Sequence, residues 1–209
     1  MRLFDFNRAP NPRRARMIIA EKGLDVQRVP VDLYAKEQLT PEFLAINPAG
    51  TLPVLETEDG VYLTETVAIC HYLECLYPDP PLMGKSATDS DLVLMWNNIV
   101  EQSGFFAVAE TLRNWSPGFR NHVFPGPVPY PQIPQLIDRG RMRTENFFDR
   151  IEQRLAASPY LAGTDFSLAD ISLLSVTDFA AWIKINPRAT RPALASWYAK
   201  VSARPSAKA

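Results

Sequence analysis

Asn47-Pro48-Ala49-Gly50-Thr51-Leu52-Pro53-Val54-Leu55 sets two prolines and a glycine against the start of an apolar run. Pro53 stands directly before Val54-Leu55-Glu56, which reads as a strand, and a sheet tolerates proline only at an end or an edge. A cis bond before Pro53 turns the backbone sharply. It leaves the amide and carbonyl of Leu52 unpaired at the sheet edge, where an extended peptide can dock as one more strand. An ordinary trans turn proline is the competing reading of the same residue.

Downstream, Tyr62-Leu63-Thr64 pairs with Val54-Leu55-Glu56 as a hairpin around Glu58-Asp59-Gly60. Glu65-Thr66 then opens a helix that runs to Leu76. A helix N-terminus attracts a carboxylate, so Thr66 can receive one with its amide and hydroxyl, while Glu65 can pair with an ammonium. Together they fit the head of an amino acid, although Glu65 alone is also just a favourable acid in a first helical turn. Upstream, Leu3 to Phe6 reads as a buried strand. Asn11-Pro12 opens a helix with Asn11 as its N-cap and Gly23 as its terminator. Val29 to Asp32 follows as a second strand, parallel to the first because a helix intervenes. Thr40-Pro41 starts a short helix, and the order becomes βαβαββα.

Tyr77-Pro78-Asp79-Pro80-Pro81 cannot continue a helix. Beyond it, helical periodicity dominates, over Asp89–Leu112, Gln135–Ala156, Leu168–Ile185 and Pro192–Ser202. The expected division is therefore an α/β unit over 1–78, a linker over 79–88 and an all-α unit over 89–209. Asn114 to Pro134 carries six prolines and reads as a functional lid or a loosely ordered connection.

The 209 residues carry 22 basic and 23 acidic side chains, which offers no electrostatic basis for binding nucleic acid or an anionic membrane. No apolar run approaches the roughly 20 residues that span a bilayer, and charge interrupts the first residues too soon for a signal peptide. Cys70 and Cys75 lie about 140° apart around a helix and cannot easily pair. With two histidines and no C-x-x-C, no metal site is expected. A cytoplasmic protein with free thiols follows.

Leu3-Phe4-Asp5-Phe6, the Asn11-Pro12-Arg13-Arg14-Ala15-Arg16 helix start, Asn47-Pro48-x-Gly50-x-x-Pro53-Val54-Leu55 and Glu65-Thr66-x-x-Ile69 together resemble the glutathione transferases. Gly163-Thr164-Asp165-Phe166-Ser167-Leu168-Ala169-Asp170 extends the match into the second half, with Ser167 and Asp170 as a capping box and Phe166 and Ile171 as a hydrophobic staple. Within that superfamily the chain is most similar to bacterial and fungal enzymes of the yeast theta-related type. The resemblance implies a thioredoxin-like first domain and a helical second one. It implies glutathione as co-substrate, a homodimer, and a small hydrophobic electrophile as second substrate in detoxification. Leu52, before a cis Pro53, would pair with the cysteinyl unit. Glu65 and Thr66 would hold the γ-glutamyl head, and Gln38, helped by Lys36, the glycyl carboxylate.

One expected group is missing. The family's usual serine or cysteine position falls on Ala9, and no hydroxyl or thiol occurs from Asn7 to Arg14. The thiol of glutathione, which ionises well above pH 7 when free, would need another stabiliser. The first helix's N-terminus offers partial positive charge and unpaired amides. Asn11 can donate from its side-chain amide or serve only as a cap, and Arg8 or Arg13 can add charge. In some relatives a histidine near the position of His122 orients a water that acts as base; here His122 is either that group or a solvated loop residue. His71 packs or contacts a second subunit. Trp115, Phe119, Phe124 and Tyr130 either line an apolar pocket or anchor their loop. Three activities fit: conjugation to an electrophile, glutathione-dependent disulfide reduction, or binding without catalysis.

Overall fold

The computed structural model describes all 209 residues. Strands β1 (Arg2–Asp5), β2 (Gln27–Pro30), β3 (Val54–Glu56) and β4 (Tyr62–Leu63) form one sheet in the order β2-β1-β3-β4. β1 is buried along Leu3, Phe4 and Asp5 because it is central: β2 pairs with it in parallel and β3 antiparallel. β2 lies two residues earlier than its apolar pattern predicts. Asp32 is drawn out of the strand, since its carboxylate accepts the amides of Tyr34 (2.8 Å) and Ala35 (3.3 Å) and makes a turn there. The polar start of β2 is held instead by Arg28, which bonds the buried Asp5 carboxylate.

Helix α1 (Pro10–Glu21) starts before the predicted cap: its N-cap is Ala9, and Asn11 sits inside the first turn. Pro10 supplies the reason. Its ring fixes φ near the helical value and its missing N–H leaves no partner unmet at the first position. The helix ends as expected, with Gly23 at φ +63°. Thr40 caps α2 (Pro41–Ile46) by accepting the Phe43 amide at 3.3 Å. α3 (Thr66–Leu76) completes the βαβαββα order. The Leu52–Pro53 peptide is cis, and so is Asp79–Pro80.

α4 (Ala87–Ile99) begins two residues before Asp89 because Ser86 caps it, accepting from the Asp89 amide. A π-helical turn at Val100–Phe105 leads into α5 (Phe106–Trp115), so the long predicted helix is one path with a widened turn in the middle. α6 (Gln135–Ala157) and α8 (Pro192–Ser202) lie as predicted. α7 (Leu168–Phe179) stops six residues early: the chain tightens into a 3₁₀ turn, Ala180–Ile183, and Lys184 takes φ +60°. A 3₁₀ turn buries Ile183 as well as an α-helix would, so periodicity alone cannot separate the two.

α7 is the axis of the molecule. Eleven of its twelve residues are buried, and its contacts reach α1, α4 and α8. One hydrophobic cluster spans both halves, joining Leu3, Ile18 and Leu73 to Phe148, Ile171 and Leu194. A smaller one, around Phe4, Phe43 and Val54, lies on the other face of the sheet. Where α5 crosses α6, Gly140 lets the backbones touch: a Cβ there would lie 2.9 Å from the Thr111 amide nitrogen and 3.0 Å from the Ala107 carbonyl oxygen. Gly140→Ala gains helix propensity of about 1 kcal/mol and loses about 1–3 kcal/mol to overpacking. A lower urea midpoint with an unchanged slope is the expected outcome of a denaturation curve.

Candidate ligand site at one end of the sheet

Strand registers bring the candidate residues together. Asp5 lies opposite Pro30, Phe4 opposite Val54 and Leu55 opposite Leu63. The end of β1, the end of β2, the start of β3 and the end of β4 therefore share one edge of the fold. From it emerge the loop into α1, the segment through Gln38, the Leu52–Pro53 turn and the start of α3 at Glu65.

Leu52 is buried, yet neither its N–H nor its C=O has a backbone partner within the chain. A backbone amide and carbonyl without partners in the chain cost free energy wherever water is excluded, unless something external satisfies them. Two such groups on one residue at a sheet end are what an added extended peptide would pair with. Thr66 is buried in the first turn of α3, where the amides have no intrahelical acceptor. Glu65 is exposed and makes no capping bond, so its carboxylate is free to face a cation. Gln38 lies in the 3₁₀ turn Glu37–Leu39, and its side-chain Oε1 is buried without a partner.

Prolines thin out the donors at the start of α1. Pro10 and Pro12 have no N–H and the Arg13 amide returns to Ala9 at 3.3 Å, which leaves the Asn11 N–H alone in that turn. The Asn11 side chain is exposed, and its Oδ1 accepts from Arg14 at 3.4 Å, so its NH₂ faces away from that bond. Arg14 is buried. It donates to Glu101 (2.6 Å) and Asn97 (3.2 Å) on the helical half and stacks over Phe105. Burial pushes its guanidinium down, opposed by the Glu101 charge. Arg13 is committed elsewhere, to Asp178 (2.5 Å) and the Ala207 carbonyl (3.1 Å). Arg8 is exposed over the Tyr34 ring.

A cleft of about 70 Å³ opens between this loop and the helical half, lined by Asn7, Arg8, Ala9, Pro10, Ser175 and Trp182 among others. Its aromatic wall is Phe179 and Trp182, 5.3 Å apart edge to face, and not the aromatics of the proline-rich loop. Ser175 brings a hydroxyl that the residues around Ala9 lack, but it donates its proton to the Pro10 carbonyl at 2.8 Å. A larger hollow of about 330 Å³, between the sheet and α2, is lined by none of the candidate residues.

His122 is not among the residues lining this cleft. It is exposed, its amide bonds to Phe119, and its neighbour across an isolated bridge is Tyr130. The loop around it is tied down and not loose: Arg113 donates to the Val123 carbonyl, Gln132 to the carbonyls of Arg113 and Ser116, and Ile133 to Asn114. Phe124 and Tyr130 pack on each other, while Trp115 lies under Lys184. His71 is exposed beside Cys75, 3.8 Å from its sulfur. Both cysteines are free, and burial pushes the Cys70 thiol up to about 12, outside useful reactivity. Ser175, Trp182 and the Arg14–Glu101 pair were not legible from the chain alone, because no motif joins residues so far apart. The apolar period of α7 places Ser175 among core positions and marks nothing more.

Residues 3–81 match the family model for the glutathione S-transferase N-terminal domain, and residues 120–205 the one for the C-terminal domain. Glutathione S-transferase 2 of Saccharomyces cerevisiae is 35% identical over 216 residues, covering all of this chain and 88% of the yeast protein. The crystal structure of Gtt2 from the same organism superposes with a TM-score of 0.90 at 32% identity, over 100% of this chain and 99% of that one. A glutathione transferase homologue from Sulfitobacter, solved with bound glutathione, gives 0.81 at 26% identity over 98% of this chain and 93% of its own. No helix of the protein is long and apolar enough to cross a membrane.

Proposed function

Because this chain belongs to the glutathione S-transferase family and takes glutathione as co-substrate, we propose that it conjugates the glutathione thiolate to a small hydrophobic electrophile without a serine, tyrosine or cysteine activator. The observation that carries the binding half is the unpaired Leu52 backbone at the sheet end from which Glu65, Thr66 and Gln38 also emerge. Glutathione lies along it as an added strand. Glu65 takes the ammonium, the Thr66 end of α3 the γ-glutamyl carboxylate, and Gln38 the glycyl end. The thiol then points toward the start of α1.

There the Asn11 N–H and side-chain NH₂ are uncommitted donors that can stabilise a thiolate, together with the partial charge of the helix end and the Arg8 guanidinium that lines the cleft. The thiolate attacks an electrophilic atom held against Phe179 and Trp182. The new bond to sulfur forms as the leaving group departs with its electron pair. Arg14 acts through Asn11 by holding its Oδ1, a positioning role. The family reading carries with it a homodimer working in the cytoplasm in detoxification.

Calorimetric titration with glutathione and with its disulfide, followed by conjugation and disulfide-reduction assays, tests this. Binding of glutathione with conjugating turnover is expected; disulfide reduction alone would reassign the activity, and no binding would remove the site. For Asn11→Ala, turnover is expected to fall by about 10-fold or more, the effect of one hydrogen bond to a charged group, with glutathione affinity little changed. Steady-state kinetics check it, and unchanged turnover removes Asn11 from the mechanism.

A further inference from the structure

The proline-rich loop reaches from the helical half to the other half at Gly126. A Cβ on Gly126 would lie 3.0 Å from the Ala49 carbonyl oxygen, and one on Gly50 would lie 3.5 Å from the Gly126 Cα. That same Gly50 Cβ would sit 3.1 Å from the Gln38 carbonyl and from a Leu39 methyl. Three segments therefore meet around Gly50: Gln38-Leu39, Ala49-Gly50 and the loop tip. Gly50 and Gly126 both hold positive φ, +58° and +103°, so the approach depends on glycine on both sides. The Gln38 side chain, in one of those segments, keeps its Oε1 buried and unpartnered. A half-turn of the amide exchanges its oxygen and nitrogen without changing shape, so it can offer an acceptor or a donor to a ligand.

The tip is also stiff. Pro125 and Pro127 flank Gly126, fixing their own φ and restricting the residue before them. Arg113 holds the tip's base through the Val123 carbonyl, and Phe124 packs edge to face on Tyr130 across the loop.

We propose that Gly126 seats this loop tip as a wall at the glycyl end of the peptide site, so that it admits glutathione and rejects peptides extended beyond the glycine. The inference rests on the glutathione reading above and deepens it. The wall belongs to the helical domain, while every other glutathione contact comes from the thioredoxin-like one. Length selection is thus a property of how the two are joined.

Calorimetry on the full chain with three ligands tests it: glutathione, γ-glutamylcysteine and γ-glutamylcysteinylglycylglycine. The wild type is expected to bind the extended peptide about tenfold more weakly than glutathione, the scale of one displaced contact to a charged group. Gly126→Val, whose side chain pushes against the Ala49 carbonyl, is expected to close that gap. It should weaken glutathione about fivefold while leaving γ-glutamylcysteine, which lacks the glycine, unchanged. Phe124→Ala, an exposed position whose loss frees the tip without adding bulk, should shift the affinities for glutathione and the extended peptide in the same directions as Gly126→Val by less, again leaving γ-glutamylcysteine unchanged. Equal losses for glutathione and γ-glutamylcysteine, no change in either variant, or a wild type that takes the extended peptide as well as glutathione would overturn the wall. A wild type that binds neither glutathione nor γ-glutamylcysteine would overturn the glutathione reading itself, and the wall with it.

Discussion

Replacing Glu65 by alanine is expected to weaken glutathione binding by roughly 10- to 100-fold while leaving the fold intact. A charge-assisted hydrogen bond is worth about 1.5–3 kcal/mol, which sets that range. The carboxylate is exposed and makes no capping bond within the chain, so its removal breaks nothing internal. Its charge helps to keep the buried Arg14 protonated only weakly compared with that of Glu101. Isothermal titration checks the affinity and the thermal midpoint checks the fold. An affinity within about twofold of wild type would place the ammonium elsewhere.

The second large effect is on stability. Asp170 is buried at the start of α7, and its carboxylate accepts from four donors. These are the Leu161 amide (3.1 Å), the Ser167 amide (3.2 Å) and hydroxyl (3.0 Å), and the Trp197 indole (3.0 Å). Asp170→Ala strands at least three buried N–H groups at about 1–3 kcal/mol each, so a loss of about 4 kcal/mol or more is expected. For a chain this long that lowers the thermal midpoint by roughly 10 °C or more. Burial holds the Asp170 carboxyl up at about 6, the four donors pulling the other way. The folded state therefore binds this proton more tightly than the unfolded one, whose carboxyl titrates near 3.8. The group's contribution is greatest below that lower value and falls as pH rises to about 6, flat beyond. Denaturation of wild type and Asp170→Asn across that window checks the sign: the gap between them should shift against the wild type as pH rises.

Much of this molecule was readable where a residue's chemistry is local. Pro53, Gly23, the Ser167–Asp170 box and the Glu65–Thr66 helix start each act within a few positions, and each lies where its type requires. Where the structure departs from the sequence pattern, two local rules compete at neighbouring residues. Asn11 is a good cap, but Pro10 one residue earlier is a better first helical residue, and the helix began there. Val31 continues the apolar pattern of the strand, yet Asp32 beyond it gains two turn hydrogen bonds by leaving the strand. The site's second wall was not readable. Ser175, Phe179 and Trp182 meet Ala9 only because α7 packs on α1, a contact between residues more than 160 positions apart. His122, a suggestive residue type in a suggestive loop, lies exposed on the surface, and like Asn11 it is not among the residues that line the cleft.

The central claim is that a site without a hydroxyl or thiol at Ala9 still binds glutathione and favours its thiolate. Titrating the ultraviolet thiolate absorbance of glutathione bound to the wild-type protein tests it most directly. The account predicts a bound thiol that ionises clearly below the ordinary value of about 8.5, and partial return toward that value in Asn11→Ala. Bound glutathione whose thiol titrates as it does in free solution would contradict it, leaving the peptide site in place and the proposed activation without support.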